Sequence, residues 1–179
     1  MAPTLHTARL LLTPVGEPDL PALHAHWNDP RVARWLWDAE PVSLHTVAEL
    51  IARSTRTFEP SGWGLWALRP TRATPLIGVC GLSPFEQAPG AVELLYSLEP
   101  AHWSNGLATE AATAVVAYAF DVLALPEVLA TTDEANAPSI RTLTRLGATP
   151  APLLQVGPTT YPCYRLRPQP PGYAPSKPL

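Results

Sequence analysis

The sequence predicts an α+β fold built on one central mixed sheet, and three observations carry that reading. Short apolar or alternating runs of strand length recur at residues 8–13, 64–68, 75–82, 91–98, 128–132, 153–156 and 160–167. Between them lie longer segments whose apolar residues return at spacings of three and four, the helix period. The order is strand, two or three helices, three strands, helix, strand, helix, two strands. It mixes hairpin links with helical crossovers, so antiparallel and parallel pairs share a sheet.

Taken in order, Ala8–Thr13 (ARLLLT) reads as the first strand, ended by Pro14, which lacks a ladder donor. Pro18-Asp19 opens a helix to about Trp27, and Asn28-Asp29-Pro30 breaks it. Val32–Trp37 forms a short helical piece or turn. Ser43 caps a helix running to about Phe58, with Leu44, Val47, Leu50 and Ile51 on its apolar face. Gly64–Leu68, Pro75–Leu82 and Ala91–Leu98 are strands, and Gly78 and Gly81 mark bends or close approaches. A long helix follows, with Ala108, Ala111, Ala112, Val115, Val116, Ala119, Phe120 and Leu123 on one face. Val128–Thr132 is a strand, Ala137–Leu146 a helix closed by Gly147, and two last strands flank a Gly157-Pro158 turn. No repeat or linker divides the chain. A single domain is expected over residues 1–167, with a disordered Pro-rich tail over residues 168–179.

The 179-residue chain carries a net charge of −3 and no dense Lys/Arg run, which argues against a nucleic-acid partner bound through its phosphates. No apolar run reaches the length of a membrane span, and Met1–Leu12 lacks a basic stretch leading into an apolar one. A cytoplasmic protein without membrane partners is expected. Cys80 and Cys163 lie far apart without metal-ligand spacing, so they read as core thiols and no metal is expected.

The most informative stretch is Val92–Phe120. A strand, Val92–Leu98, leads through Glu99–Asn105 into Gly106-Leu107-Ala108 at the start of the long helix. A helix start leaves backbone N–H groups unpaired and carries partial positive charge, which suits phosphate. Gly106 permits close approach because it has no Cβ. The same pattern also serves plain chain reversal. Neither a P-loop nor a dinucleotide fingerprint is present.

Four segments together resemble the GNAT superfamily of acetyl-CoA-dependent N-acetyltransferases, with the nearest likeness to its RimJ/RimL branch of ribosomal-protein N-terminal acetyltransferases. They are Thr7–Leu12 with Trp27–Arg34, Leu76–Leu82, Val92–Pro100 running into Trp103–Ala111, and Asn136–Ile140 followed by Leu143, Leu146 and Gly147. The resemblance implies a mostly antiparallel sheet in which a bulged strand, here Val92–Leu98, splays from its parallel neighbour. It implies that acetyl-CoA lies in that opening. The pantetheine arm would pair with the backbone of Leu95, Tyr96, Ser97 and Leu98. The pyrophosphate would rest on Trp103, Ser104, Asn105, Gly106, Leu107, Ala108 and Thr109. Where the family often has a basic pair, this chain has Ser104-Asn105, which removes a charge from the phosphate turn.

The reaction so implied is direct attack of an amine on a thioester. It needs a base, oxyanion stabilisation and a proton for the thiolate. Glu93 occupies the strand position where histone acetyltransferases of the superfamily place their glutamate, and is the candidate base. Its alternative is a solvent-facing strand residue. A base on the late strands, as in RimL, has no carboxylate equivalent between Leu153 and Thr160. Ser139 is the candidate acid, since the family's frequent tyrosine falls at Leu143; its alternative is a helix cap. Asn136 contacts pantetheine, caps the helix, or does both. His102 and Glu110 read as surface and structural residues. Some of Trp27, Trp35, Trp37, Trp63 and Trp66 belong to the core and others wall the acceptor site, with Asp38, Glu40, Glu59 and Glu86 as possible anchors for a cation. The expected acceptor is a protein N-terminus or a small amine, and the protein a monomer or homodimer. The alternative is a non-catalytic acyl-CoA sensor of the same fold.

Overall fold

Strand pairing begins earlier than the sequence pattern indicates. In the computed structural model, which describes residues 2–36, 39–70, 72, 75–86, 88–156 and 159–168, β1 (Leu5–His6) pairs with β2 (Leu11–Pro14) as a small hairpin. Ala8 and Arg9 lie in its bend, so the first predicted strand divides there. After a 3-10 turn at Glu17–Asp19 come α1 (Leu20–Trp27) and α2 (Pro30–Ala33), the latter capped by the Asp29 side chain. In α3 (Leu44–Ser61) the Ser43 hydroxyl accepts from the Thr46 N–H, and Gly62 ends the helix in the left-handed region at φ 76°. Val47 and Ile51 are buried as expected, whereas Leu44 is 50% exposed and stands off the packed face.

The rest of the chain follows the predicted order: β3 (Leu65–Arg69), β4 (Gly78–Pro84), β5 (Val92–Leu98), α4 (Leu107–Asp121), β6 (Val128–Thr131), α5 (Ala137–Arg145), β7 (Thr149–Val156) and β8 (Thr159–Leu166). The described strands form an eight-stranded sheet in the order β1-β2-β3-β4-β5-β6-β8-β7. Every neighbour is antiparallel except β5 and β6. The expected turn at Gly157-Pro158 and tail at 169–179, with Trp37 and Asp38, lie outside the described residues.

Alternation along the strands divides the core between two faces. Trp66, Leu68, Cys80, Leu82, Leu94 and Leu98 join the apolar stripe of α4, including Ala111, Val115 and Ala119. Leu65, Ala67 and Val79 pack against α1 and α3 through Leu23, Trp27, Val47 and Ile51. Both cysteines are buried, and burial pushes their thiols up. Gly78 and Gly81 are close approaches. A Cβ on Gly81 would collide with the Gly64 carbonyl, and one on Gly78 (φ 155°) with the Ser97 carbonyl and the Leu98 backbone. These glycines seat β3, β4 and β5 tightly beside one another.

The feature that shapes the site is the β5–β6 pair. It is registered at Glu93 and Leu129, beyond which the strands part. The bulge expected in β5 is absent: its register with β4 is unbroken from Pro84–Val92 to Gly78–Leu98. The opening therefore arises from divergence of a regular β5 from β6.

Candidate active site

The gap between the parting strands is a cleft of about 420 Å³, walled by Tyr96–Leu98 on one side and Ala130–Thr132 on the other. Hydrogen-bond alternation sets what β5 presents to it. Glu99 N–H donates to Ile77 O at 2.8 Å, so along this antiparallel ladder residues 97, 95 and 93 turn their backbone groups to β4. Tyr96 and Leu98 turn theirs toward the cleft. Consistent with this, the Leu98 carbonyl accepts from Trp103 Nε1 at 2.7 Å.

At the mouth of the cleft the chain makes a turn of unusual backbone. Ser104 (φ 62°) and Gly106 (φ 74°) are both left-handed, and Gly106 is the N-cap of α4. The first helical bond is Glu110 N–H to Gly106 O at 3.0 Å. The N–H groups of Ser104 through Thr109 have no acceptor among the described residues. Alternating backbone of this kind turns successive N–H groups into one concavity, where the helix dipole adds to their field. Such a cradle fits the pyrophosphate of a coenzyme A thioester, and the splay beyond it fits an extended pantetheine arm.

The basic pair missing at Ser104-Asn105 has counterparts elsewhere. Arg9, from the β1–β2 bend, donates from Nη1 to Asn105 O at 2.9 Å and from Nε to Glu110 Oε2 at 2.6 Å. A Cβ on Gly106 would lie 3.7 Å from Arg9 Nη2. Glu110 also accepts from Thr7 Oγ1 and the Arg9 N–H, and these bonds hold its carboxyl below the usual range against its partial desolvation. Arg141 and Arg145, one turn apart on α5, line the same cleft without a carboxylate partner among the described residues. The sequence reading missed all three arginines, and only an i, i+4 basic pair on α5 hinted at two of them.

The remaining site candidates fall into place around this cleft. Trp103, Ser104, Gly106, Leu107, Ala108, Thr109, Asn136 and Ser139 line it with Leu95–Leu98; Asn105 does not, its carbonyl being held by Arg9. Asn136 caps α5 by accepting from the Ser139 N–H at 3.2 Å. That leaves the Ser139 hydroxyl free of capping. It meets the Tyr96 hydroxyl at 2.8 Å, a pairing the sequence reading did not anticipate. Burial pushes the Tyr96 phenol up to about 12, with the Ser139 bond opposing the rise. Leu143 is fully buried.

Glu93 does not line this cleft. It faces a second cavity of about 330 Å³ between α3 and the β4–β5 hairpin, whose walls include Trp27, Trp63, Arg53, Ser83 and Glu86. The two cavities share Leu36 and Leu95. Desolvation raises the Glu93 carboxyl above the usual range; the Ser83 hydroxyl, donating to Oε1 at 2.9 Å, opposes this, and Glu86 adds to it. Where α1 meets β5 lies a polar trio. Ser97 Oγ is 2.9 Å from His26 Nε2 and accepts from Trp27 Nε1 at 3.3 Å. Burial lowers His26 to about 4, so it is neutral near pH 7.

A sheet parted at one parallel pair, with an amide-lined turn at its mouth, is the frame in which the chain is similar to known acetyltransferases. The chain belongs to the GNAT family: the family model described as the acetyltransferase (GNAT) domain matches residues 9–149. It is 28% identical over 147 residues to the uncharacterized N-acetyltransferase YoaA of Bacillus subtilis, covering 82% of this chain and 83% of that protein. Its fold is similar to the acetyltransferase from Agrobacterium tumefaciens str. C58, with a TM-score of 0.82, 27% identity and coverage of 94% and 96% of the two chains. RimL, a ribosomal L7/L12 alpha-N-protein acetyltransferase in complex with coenzyme A, shares the fold at a TM-score of 0.74 and 14% identity, with 92% and 98% covered. The protein is therefore an acetyl-transferring enzyme.

Proposed function

We propose that this enzyme transfers acetyl from acetyl-CoA to a primary amine without a covalent enzyme intermediate. The observation that carries the reading is the run of unengaged N–H groups from Ser104 to Thr109 at the open end of the β5–β6 splay. When bound, acetyl-CoA supplies an activated thioester carbonyl; the uncharged amine attacks it, an N–C bond forms and the C–S bond breaks.

The chain's own groups divide the work between the two faces of β5. On the face toward α3, Glu93 takes the proton the amine must lose, directly or through water, from a cavity that meets the cleft at Leu36 and Leu95. Desolvation raises its pKa, so it holds an accepted proton more strongly than an ordinary carboxylate. On the face toward α5, the Ser139 hydroxyl gives a proton to the departing thiolate as Tyr96 passes it one, and water returns a proton to Tyr96 in the same relay. Burial keeps the phenol protonated at the working pH. Tyr96 and Leu98 hold the pantetheine arm by their backbone groups, while Arg9, Arg141 and Arg145 surround the phosphates with positive charge.

Calorimetry with acetyl-CoA, followed on the same sample by a thiol-release screen over amines and N-terminal peptides, tests this reading. Binding with thiol release is expected. Absence of binding would make the Trp103–Ala108 turn a chain reversal, and binding without release would favour the non-catalytic sensor.

A further inference from the structure

The cavity that Glu93 faces has an unusual balance of polar and apolar groups. Its walls are largely apolar: Trp27, Leu50, Trp63, Leu65 and Leu82 all contribute. It also carries several polar side chains, but nearly all are engaged within the protein. Ser54 Oγ accepts from the Leu65 N–H at 2.7 Å, and Thr57 Oγ1 donates to Arg53 O at 2.9 Å. Thr46 Oγ1 is bonded to Ser43 Oγ at 2.8 Å. Arg53 Nη1 and Glu86 Oε1 form an ion pair at 3.0 Å, joining α3 to the β4–β5 hairpin. Ser83 engages one oxygen of Glu93, and the other, Oε2, has no partner among the described residues.

Resting on the acetyltransferase reading, we infer that this cavity selects a small primary monoamine with an apolar or aromatic body. The ammonium head meets Glu93 Oε2, and the body lies against Trp27, Trp63 and Leu50. Size and charge both argue for this occupant. At about 330 Å³ the cavity lies at the small end of ligand pockets, the scale of an arylalkylamine. Among the described residues a second ammonium would find only Glu86, already held by Arg53, and the Arg53 charge would repel it. Burying a cation without a partner is costly, so polyamines and aminoglycosides are disfavoured. A peptide N-terminus brings amide groups that these walls leave unsatisfied.

The test is thiol release by the full chain, saturated with acetyl-CoA, using phenethylamine, hexylamine, spermidine, kanamycin and N-terminal peptides. Phenethylamine and hexylamine should exceed the others by about tenfold or more in kcat/KM. Thr57→Trp, which fills the cavity, should cut phenethylamine turnover about tenfold with acetyl-CoA affinity unchanged. Arg53→Glu, at a half-exposed rim position, should shift preference toward spermidine by supplying a second carboxylate. Preference of the unmodified enzyme for spermidine, kanamycin or peptides would overturn the inference while leaving the acetyltransferase reading intact. So would Thr57→Trp that folds and acts normally on phenethylamine, or Arg53→Glu with no gain on spermidine. Failure of acetyl-CoA to bind, or binding with no amine turned over, would remove the acetyltransferase reading and the inference with it.

Discussion

Ser139 stands third in its helix, a position where a serine readily serves the backbone, yet Asn136 does the capping and the Ser139 hydroxyl turns to Tyr96. Ser139→Ala should therefore lower kcat about ten- to hundredfold with acetyl-CoA affinity nearly unchanged. Equal losses in both, read by turnover and calorimetry, would make Ser139 a binding residue only. Glu93→Gln should lower kcat about a hundredfold and abolish the acid limb of the pH–rate profile. With Glu93 intact that limb should lie above the usual carboxylate range, because desolvation raises its pKa. His26 gives a separate signature in stability. Its pKa is lowered from 6.5 to about 4 on folding, so between those values the unfolded state binds more protons. The stabilisation is complete above the unfolded value and falls as pH drops toward the folded one, by at most on the order of 3 kcal/mol. Denaturant melts from pH 7 to pH 4 should show this loss, and His26→Gln should flatten it.

Between residues and the whole lie contacts that join one element to another. Gly78 and Gly81 let β3, β4 and β5 lie closer than any Cβ permits. Gly78→Ala should cost about 2 kcal/mol or more in unfolding and weaken acetyl-CoA binding, because relief would move β5 at Ser97 and Leu98. The β1–β2 hairpin reaches the turn before α4 through Arg9, which Glu110 orients and Asn105 O receives. Arg9→Gln should weaken acetyl-CoA binding about three- to tenfold. Acetyl-pantetheine, which lacks the pyrophosphate, should bind both proteins alike. A matching loss for acetyl-pantetheine would mean that Arg9 acts on the whole cleft and not on the phosphates.

For the molecule as a whole, the strands and the linings of both cavities, among the described residues, come from residues up to Leu166. Removal of residues 169–179 should leave the melting temperature and acetyl-CoA affinity unchanged, as scanning calorimetry and titration would read. The order of the elements was legible because hydrophobic period and turn residues act locally. The turn at Trp103–Thr109 was legible for the same reason, since a helix start and its glycine are contiguous in the chain. Arg9 was not, because it reaches Asn105 from 96 positions away across the sheet. Nor was the Tyr96–Ser139 pair, which spans 43 positions. The expected bulge in β5 came from resemblance, and the unbroken β4–β5 register replaces it.

By itself, then, the sequence determined the α+β class, the strand–turn–glycine–helix that could hold an anion, and the residue types available for acid and base. Tertiary structure decided which of these meet. Strand alternation sent Glu93 and Tyr96 to opposite faces of β5. The parting of β5 from β6 opened the cleft between them, and α3 closed an apolar cavity over Glu93. The physical reason is range: period, caps and turns follow from near neighbours, whereas burial, ion pairs and shared cavities depend on segments that only the packed sheet brings together.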